Sequence, residues 1–436
     1  MTTSDIKTPF AHIAQQHALP SHHLPWLKNM RVKALSQFNR QGLPTPKEED
    51  WKYTSVWPLR QQSFTHTPRQ CDISEKEVNT QALLSQEQAY RFVIVDGVFS
   101  PDYSNLDHLP EGVTLRPLSQ ALDHAQPHLG KQIDISMPGF HALNTMLMQE
   151  GMVICLEDHV KMDKPVELLM IQSGQSGNLA CHLRHVIVLG AHSQLTLIEH
   201  YVGLRNMVSL TDTVSEVVLA TGAQLAHYKV QRESTQAFHI GTLSASQGAD
   251  SQWQTVSVSL GGSLTRHNIQ TQLKGEQAYA EMNGVYLTDA AQHVDHHLSI
   301  DHAVAHTRSQ ALYKGVLRGE SHAVFNGKVK VHQHAQKTDA NQQNHNLLLS
   351  RDCEIDSKPE MEIYADDVKC GHGSTVGQLD EEALFFLRAR GIDEATAKNI
   401  LTCAFAADVL ETISNPVIRQ ALTGIVTRHL PGGRPS

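Results

Sequence analysis

The feature that most constrains the fold is a repeated glycine turn that leads each time into a strand-like segment of alternating apolar and polar residues. Between residues 152 and 369 such segments follow one another, rich in Val, Thr, Leu and Ile. Four of the glycines are spaced 32, 26 and 27 residues apart, and a related turn follows later: Gly190, Gly222, Gly248, Gly275 and Gly319. Periods of roughly 20 to 50 residues are typical of solenoids. Each repeat has room for two or three strands of about five residues, so we predict a parallel β-helix rather than a sandwich or jelly roll.

Helical sequence precedes this region. Leu27, Met30, Ala34 and Phe38 recur at helix-like spacing, and Gly42 is placed to end that helix. Further along, the segment 92–99 predicts a hairpin and the segment 140–149 a short helix. Trp51 and Tyr53 are expected to anchor a turn-rich segment to the core.

Helical sequence also follows the repeats. Asp380 and Asp393 are suited to cap two helices at their N termini, Gly391 suits the end of the first, and Pro416 begins a third. The predicted fold is therefore mainly β, with a right-handed parallel β-helix (β-solenoid) core over residues 151–373. An N-terminal helical domain with a small α/β segment (1–150) and a C-terminal helical domain (374–436) flank it.

A thiol and an imidazole stand close together where the repeats end. The run from Glu362 to Gly373 looks like a strand, and side chains two residues apart in a strand point to the same face, so Cys370 and His372 should stand side by side. Both residue types bind soft or borderline metals. From the residues alone, a structural pair in the last strand explains them better than a metal site. Because an open solenoid end leaves backbone groups unpaired, however, this boundary is also where a partner chain could pair.

The composition excludes several classes of function. A formal charge of −9 and the lack of a Lys/Arg cluster argue against nucleic-acid binding. The six cysteines are scattered and form no C-x-x-C pair, which favours a reducing compartment: Cys71, Cys155, Cys181, Cys353, Cys370 and Cys403. The first 20 residues do not resemble a signal peptide, and no run is apolar enough to span a membrane. We therefore expect a cytoplasmic protein that binds neither nucleic acid nor membrane.

Motifs for nucleotide binding, metalloproteolysis and ester hydrolysis do not occur in the sequence, so we expect no ATPase activity of its own. Two alternatives stay open. One is a β-helical carbohydrate-active enzyme, which would need carboxylates converging on a groove; Asp366 and Asp367 are adjacent in sequence and cannot form such a pair on one strand face. The other is a free-standing metal-binding protein that uses the histidines between His293 and His306, although strand alternation should divide these between two faces.

Several segments resemble the SufB/SufD family of the SUF iron–sulfur cluster assembly system. They span nearly the whole chain: residues 43–45, 51–53, 313–317, 324–328, 335–340, 346–350, 358–372 and 388–392. The segment from Tyr364 to Cys370 is similar to the SufD branch rather than to SufB. One departure is Cys353, where the family is expected to carry a small residue without a thiol; a buried core cysteine is the expected explanation and a third ligand the remote one.

The resemblance implies a non-catalytic scaffold subunit, with a parallel β-helix between helical terminal domains. It implies pairing with SufB through the C-terminal end of the β-helix and binding of the ABC-type ATPase SufC through the C-terminal helices. It also implies that His372, with Cys370 close by, faces SufB and helps to hold a nascent iron–sulfur cluster. No cofactor is expected to be bound stably by the chain alone, and a homodimer in isolation is left open.

Overall fold

The computed structural model describes residue 10, residues 24–66, residue 68 and residues 71–430. Its core is a parallel β-solenoid of about eight turns, which confirms the mainly β prediction. The strands are β1 (Tyr90–Val95), β2 (Val98–Phe99), β3 (Val113–Pro117), β4 (Met152–Leu156), β5 (Val166–Gln172), β6 (Ala180–Leu189), β7 (Gln194–Gly203), β8 (Leu210–Leu219), β9 (Gln224–Arg232), β10 (Phe238–Gln247), β11 (Gln252–Ser259), β12 (Leu264–Leu273), β13 (Tyr279–Thr288), β14 (His293–His302), β15 (Arg308–Leu317), β16 (His322–Val331), β17 (Asp339–Leu348), β18 (Glu354–Ile363) and β19 (Lys369–Gly377).

Two long sheets form the walls of the solenoid. Sheet A has the order β19-β17-β15-β13-β11-β9-β7-β5-β1-β2, and sheet B has the order β18-β16-β14-β12-β10-β8-β6-β4-β3. Each full turn adds one strand to each sheet, and most of these strands are eight to ten residues long. Two strands per turn agree with the prediction of two or three, but most of the strands are longer than the five residues expected.

Alternate residues of each strand face the inside of the solenoid. The strands pair in parallel and in register, so inward residues of successive turns stack, as Leu243 of β10 does on Ile269 of β12. Both belong to a buried apolar cluster that runs through the solenoid. Burying such a side chain stabilises the fold by roughly 1.5–3 kcal/mol relative to exposing it.

Most of the N-terminal segment packs on the outer side of sheet B, whereas Ile73 and Val78 pack on the outer side of sheet A. Helix α1 (Pro25–Gln41) buries Leu27, Ala34 and Phe38 as predicted and ends at Gly42, whose φ of 68° lies in the left-handed region. The same segment contains α2 (Trp57–Arg60), α3 (Glu75–Gln81), α4 (Leu122–Ala125), α5 (His141–Leu147) and the 3-10 turns Glu49–Trp51, Pro101–Tyr103 and Leu118–Gln120. The helix predicted in 140–149 is thus confirmed.

Trp51 anchors this segment, as predicted. Its ring is buried, and the Arg266 guanidinium of β12 stacks on it at 3.8 Å from the ring centre.

Strands from the N-terminal part of the chain also extend both walls. The predicted hairpin is the antiparallel β1–β2 pair, and β1 continues sheet A by pairing in parallel with β5.

Three helices follow the solenoid: α6 (Glu381–Ala389), α7 (Glu394–Glu411) and α8 (Pro416–His429). The predicted caps are present, since the Asp380 carboxylate accepts the Glu382 amide at 2.8 Å and that of Asp393 accepts the Thr396 amide at 3.0 Å. Helices α7 and α8 bury apolar residues against the outer face of sheet A. None of the helices in the described ranges has the length and apolar character needed to cross a membrane.

Candidate functional site

The C-terminal end of the solenoid is open. Strands β18 and β19 are the last members of their sheets, and within the described residues no strand pairs with their outer edges. Residues of β19 are mostly exposed, and those of β18 are mostly half-buried. The last turn therefore presents backbone donors and acceptors as well as inward-facing side chains to whatever lies beyond it.

Cys370 and His372 face the inside of this open end. Cys370 pairs with Ala340 of β17 and His372 pairs with Gln342, and both of these β17 residues are buried inside the solenoid. No further turn of the solenoid covers Cys370 and His372, because β19 is the last strand of sheet A. His372 is therefore exposed, while Cys370 is half-buried against the apolar core. The prediction that the two share one strand face agrees with this register, and the imidazole is accessible.

The environment of Cys370 favours the protonated thiol. Burial is the main cause that raises its pKa above the ordinary value, and the negative charge of Asp339 adds to the effect. Because the thiolate is the form that binds metals, this shift disfavours metal binding by Cys370.

The strand-like run from Glu362 to Gly373 is not one strand. Strand β18 ends at Ile363 and β19 begins at Lys369, with a bend between them that contains Asp366 and Asp367. The expectation that these two aspartates occupy opposite faces of a strand was therefore wrong. The bend is what turns the chain from one wall to the other, which places Cys370 and His372 on sheet A.

Cys353 and the histidines between His293 and His306, also singled out from the sequence, lie in positions that the fold explains. Cys353 is buried, and its thiol donates to the Ser350 carbonyl at 3.0 Å, in agreement with a core cysteine. On β14, His296 and His302 point into the solenoid, whereas His293 and His297 lie on the outer side, as strand alternation predicted. In the described part of the chain, no three metal-binding side chains converge within the segment from His293 to His306.

A row of polar side chains, not anticipated from the sequence, leads from the interior to the open end. Tyr286 donates to Asn346 at 2.5 Å, and Asn344 donates to Tyr286 at 3.2 Å. Ser357 of β18 donates to Asn344 at 2.7 Å and lies 2.8 Å from Ser374 of β19. These contacts join the two walls at the last turn. Only the register between strands reveals them, because the residues are far apart in sequence.

The C-terminal helices present an exposed aromatic surface. Phe385 and Phe386 of α6 are 74% and 56% exposed, and Arg390 stacks on the Phe386 ring. Helix α7 is connected to the solenoid through Lys314 of β15, which is bonded to Asp408 and lies 4.6 Å from the ring centre of Phe405.

Comparison with known proteins identifies the family of the chain. Residues 10–168 match the model of the SufBD protein N-terminal region, and residues 170–405 match that of the SUF system FeS cluster assembly SufBD core domain. The chain is 33% identical to the iron-sulfur cluster assembly protein SufD of Escherichia coli over 92% of both chains. It is 30% identical to the SufBD family protein slr0076 of Synechocystis, over 89% of this chain and 87% of that protein. It is 31% identical to protein ABCI7, chloroplastic, of Arabidopsis thaliana, over 92% and 86%. The chain therefore belongs to the SufBD family of iron–sulfur cluster assembly proteins.

Proposed function

We propose that this chain is a non-catalytic scaffold subunit of the SUF machinery that pairs with SufB and binds the ATPase SufC. The nascent iron–sulfur cluster, which is the cargo, assembles at the interface with SufB. His372 and Cys370 are the ligands from this chain. The observation that carries the proposal is an open solenoid end that presents one imidazole and one thiol.

Two ligands do not complete a cluster site. Protein-bound iron–sulfur clusters are commonly held by four thiolates, or by thiolates together with histidines. Within the described residues, neither Cys370 nor His372 belongs to a group of three converging metal-binding side chains. The remaining ligands must come from another chain, and the free edges of β18 and β19 supply the surface on which that chain can pair. When the protein is alone, the same edges are open to a second copy, so a homodimer in isolation is part of the proposal.

The raised pKa of the Cys370 thiol suits a transient site. Binding of iron must displace the thiol proton, so the raised pKa of Cys370 weakens its hold on iron. A scaffold that must release its product benefits from such ligands. The six cysteines are unpaired, which fits a reducing cytoplasm.

The contacts of α7 suggest how an ATPase could act on the site. The Lys314–Asp408 bond ties α7 to β15, β15 pairs with β17, and β17 pairs with β19. A force that SufC applies to the C-terminal helices would thus be passed through two strand pairs to the strand that carries His372. We propose that ATP-driven closure of SufC opens the interface with SufB in this way, so that iron and sulfide reach His372.

The test is complementation of a strain that lacks this chain, with cluster-dependent enzyme activity in cells as the readout. We expect His372→Ala to abolish or strongly reduce cluster maturation, while co-purification of SufB and SufC persists. His334→Ala is the matched control, because His334 is an exposed histidine in a turn of the solenoid. Normal cluster maturation with His372→Ala would overturn the role assigned to His372. Failure of SufB and SufC to co-purify with the unaltered chain would overturn the scaffold assignment.

A further inference from the structure

Three side chains of different metal-binding types converge on the outer face of sheet B. His322 of β16 and Glu354 and Asp356 of β18 each offer a ligand atom, and these atoms all lie within 4.8 Å of one another. His322 Nε2 is 2.8 Å from Asp356 Oδ2. The group lies on the opposite face of the wall from the inward-facing residues of the open end, so it is distinct from the Cys370–His372 pair.

The register of the solenoid assembles the group. His293, His322 and Glu354 are directly paired in successive turns, and Asp356 lies one outward position further along β18. Residues 32 apart in sequence, such as His322 and Glu354, thereby become nearest neighbours. Because β18 is the last strand of sheet B, the outer side of the group is open.

His322 is held by a second layer of contacts. The ring of His293 packs edge-to-face against it, with ring centres 4.7 Å apart. Thr54 fixes His293 in turn, since its hydroxyl donates to Asp295 at 2.5 Å and accepts from His293 Nε2 at 2.9 Å. Histidine ligands in metal sites are commonly oriented by such outer contacts.

Among the described residues, no Lys or Arg side chain pairs with either carboxylate. In the described residues, the Glu354 carboxylate forms no hydrogen bond or ion pair, and the one ion-pair contact of Asp356 is to His322. Two carboxylates at this separation repel each other when both are ionised. A cation between them would remove that repulsion.

We propose that His322, Glu354 and Asp356 form a binding site for a divalent first-row transition-metal ion. One imidazole and two carboxylates suit Mn²⁺, Fe²⁺, Co²⁺ or Zn²⁺, whereas Ca²⁺ and Mg²⁺ take oxygen ligands alone. Three protein ligands leave coordination positions for water in the isolated chain. The proposal does not depend on the role of Cys370 and His372.

The probe is Co²⁺ added to the purified full-length protein after removal of metals with a chelator, followed through its visible absorption. We expect one site whose spectrum disappears on addition of Zn²⁺. His322→Ala should abolish it, and Glu354→Gln and Asp356→Asn should each weaken binding by at least about tenfold, the loss typical even of outer contacts. Glu354 is exposed and neither His322 nor Asp356 is fully buried, so the thermal melting of the variants should stay close to that of the parent.

Two control variants make the result specific. His332 Nε2 lies 2.6 Å from Asp301 Oδ1 and thus forms a similar histidine–aspartate pair without a third ligand, so His332→Ala should leave the spectrum unchanged. The double change Cys370→Ala/His372→Ala should also leave it unchanged. The proposal is overturned if the parent shows no such spectrum, or if His322→Ala retains it at full intensity.

Discussion

Glu199 shows how the solenoid tolerates charge in its interior. The buried carboxylate accepts hydrogen bonds from Tyr201 at 2.8 Å and Ser215 at 2.9 Å, and His227 lies 3.4 Å away. Burial alone would raise the pKa of Glu199, but the hydrogen bond and charge of His227, with further contributions from His185 and Lys229, hold it below its ordinary value. The charge is therefore retained because its partners are inside with it.

His267 is the contrasting case, and it yields a prediction. Neither of its ring nitrogens has a hydrogen-bond partner among the described residues, and burial lowers its pKa well below the ordinary value, so the ring is neutral. His267→Phe should raise the free energy of unfolding by about 1–2 kcal/mol, because it removes unsatisfied buried polar atoms while keeping the ring packed between His239 and His296. Urea unfolding measures the change.

The matched control is His227→Phe. The His227 ring is also buried, but its Nδ1 lies 2.9 Å from the Thr255 hydroxyl and its Nε2 faces Glu199. This variant should destabilise the fold by about 1–3 kcal/mol, since it removes one of the partners of the buried Glu199 carboxylate. Equal effects of the two substitutions would contradict this distinction between satisfied and unsatisfied interior histidines.

At the scale of elements, β19 should be the least stable strand of the solenoid. It pairs on one side with β17, and most of its residues are exposed. It also contains three glycines at which an added methyl group would meet no other atom within 4 Å: Gly371, Gly373 and Gly377. In hydrogen exchange of the isolated chain, amides of 369–377 should exchange much faster than those of β11 or β13. Addition of SufB should protect them, and slow exchange in the free chain would argue against an available edge.

Helix α6 carries the second element-scale prediction. A double change Phe385→Ser/Phe386→Ser should abolish co-purification of SufC, because the two exposed rings supply apolar contact area and an Arg–aromatic stack that a partner can cover. Val32→Ser on α1 is the control, since Val32 has the same 56% exposure as Phe386 but lies in the N-terminal segment. Retention of SufC by the double variant, or its loss with Val32→Ser, would contradict the assignment.

Local signals in the sequence predicted helix ends better than strand ends. Asp380, Asp393 and Gly42 act through neighbouring residues, so their capping roles were visible in the sequence. The bend at 364–368 was not predicted, because residues 362–373 were read as one continuous strand. Cys370 and His372 were found because they lie two residues apart. His322 and Asp356 meet through a register that periodicity alone does not fix.

At the scale of the whole molecule, the buried histidines predict steep loss of stability in acid. Burial lowers the pKa of five histidines from about 6.5 to about 3 or 4: His182, His185, His293, His296 and His302. Between about pH 4 and 6.5 the unfolded chain therefore binds more protons than the folded one. The free energy of unfolding should be highest above about pH 6.5 and should fall as the pH decreases. The fall is up to ~1.4 kcal/mol per pH unit for each histidine that is protonated in the unfolded chain but neutral in the folded one.

Urea unfolding at several pH values between about 4.5 and 7.5 tests this linkage. If all five histidines contribute, the slope should approach ~7 kcal/mol per pH unit near the acid end. His302→Gln should reduce the slope by about one histidine's share, because Gln does not titrate and can still meet the Thr307 and Ser309 hydroxyls that now contact the ring. His334→Ala should leave the slope unchanged, since His334 is exposed in both states. A stability that is flat over this range would mean that water or protons reach these side chains in the folded solenoid.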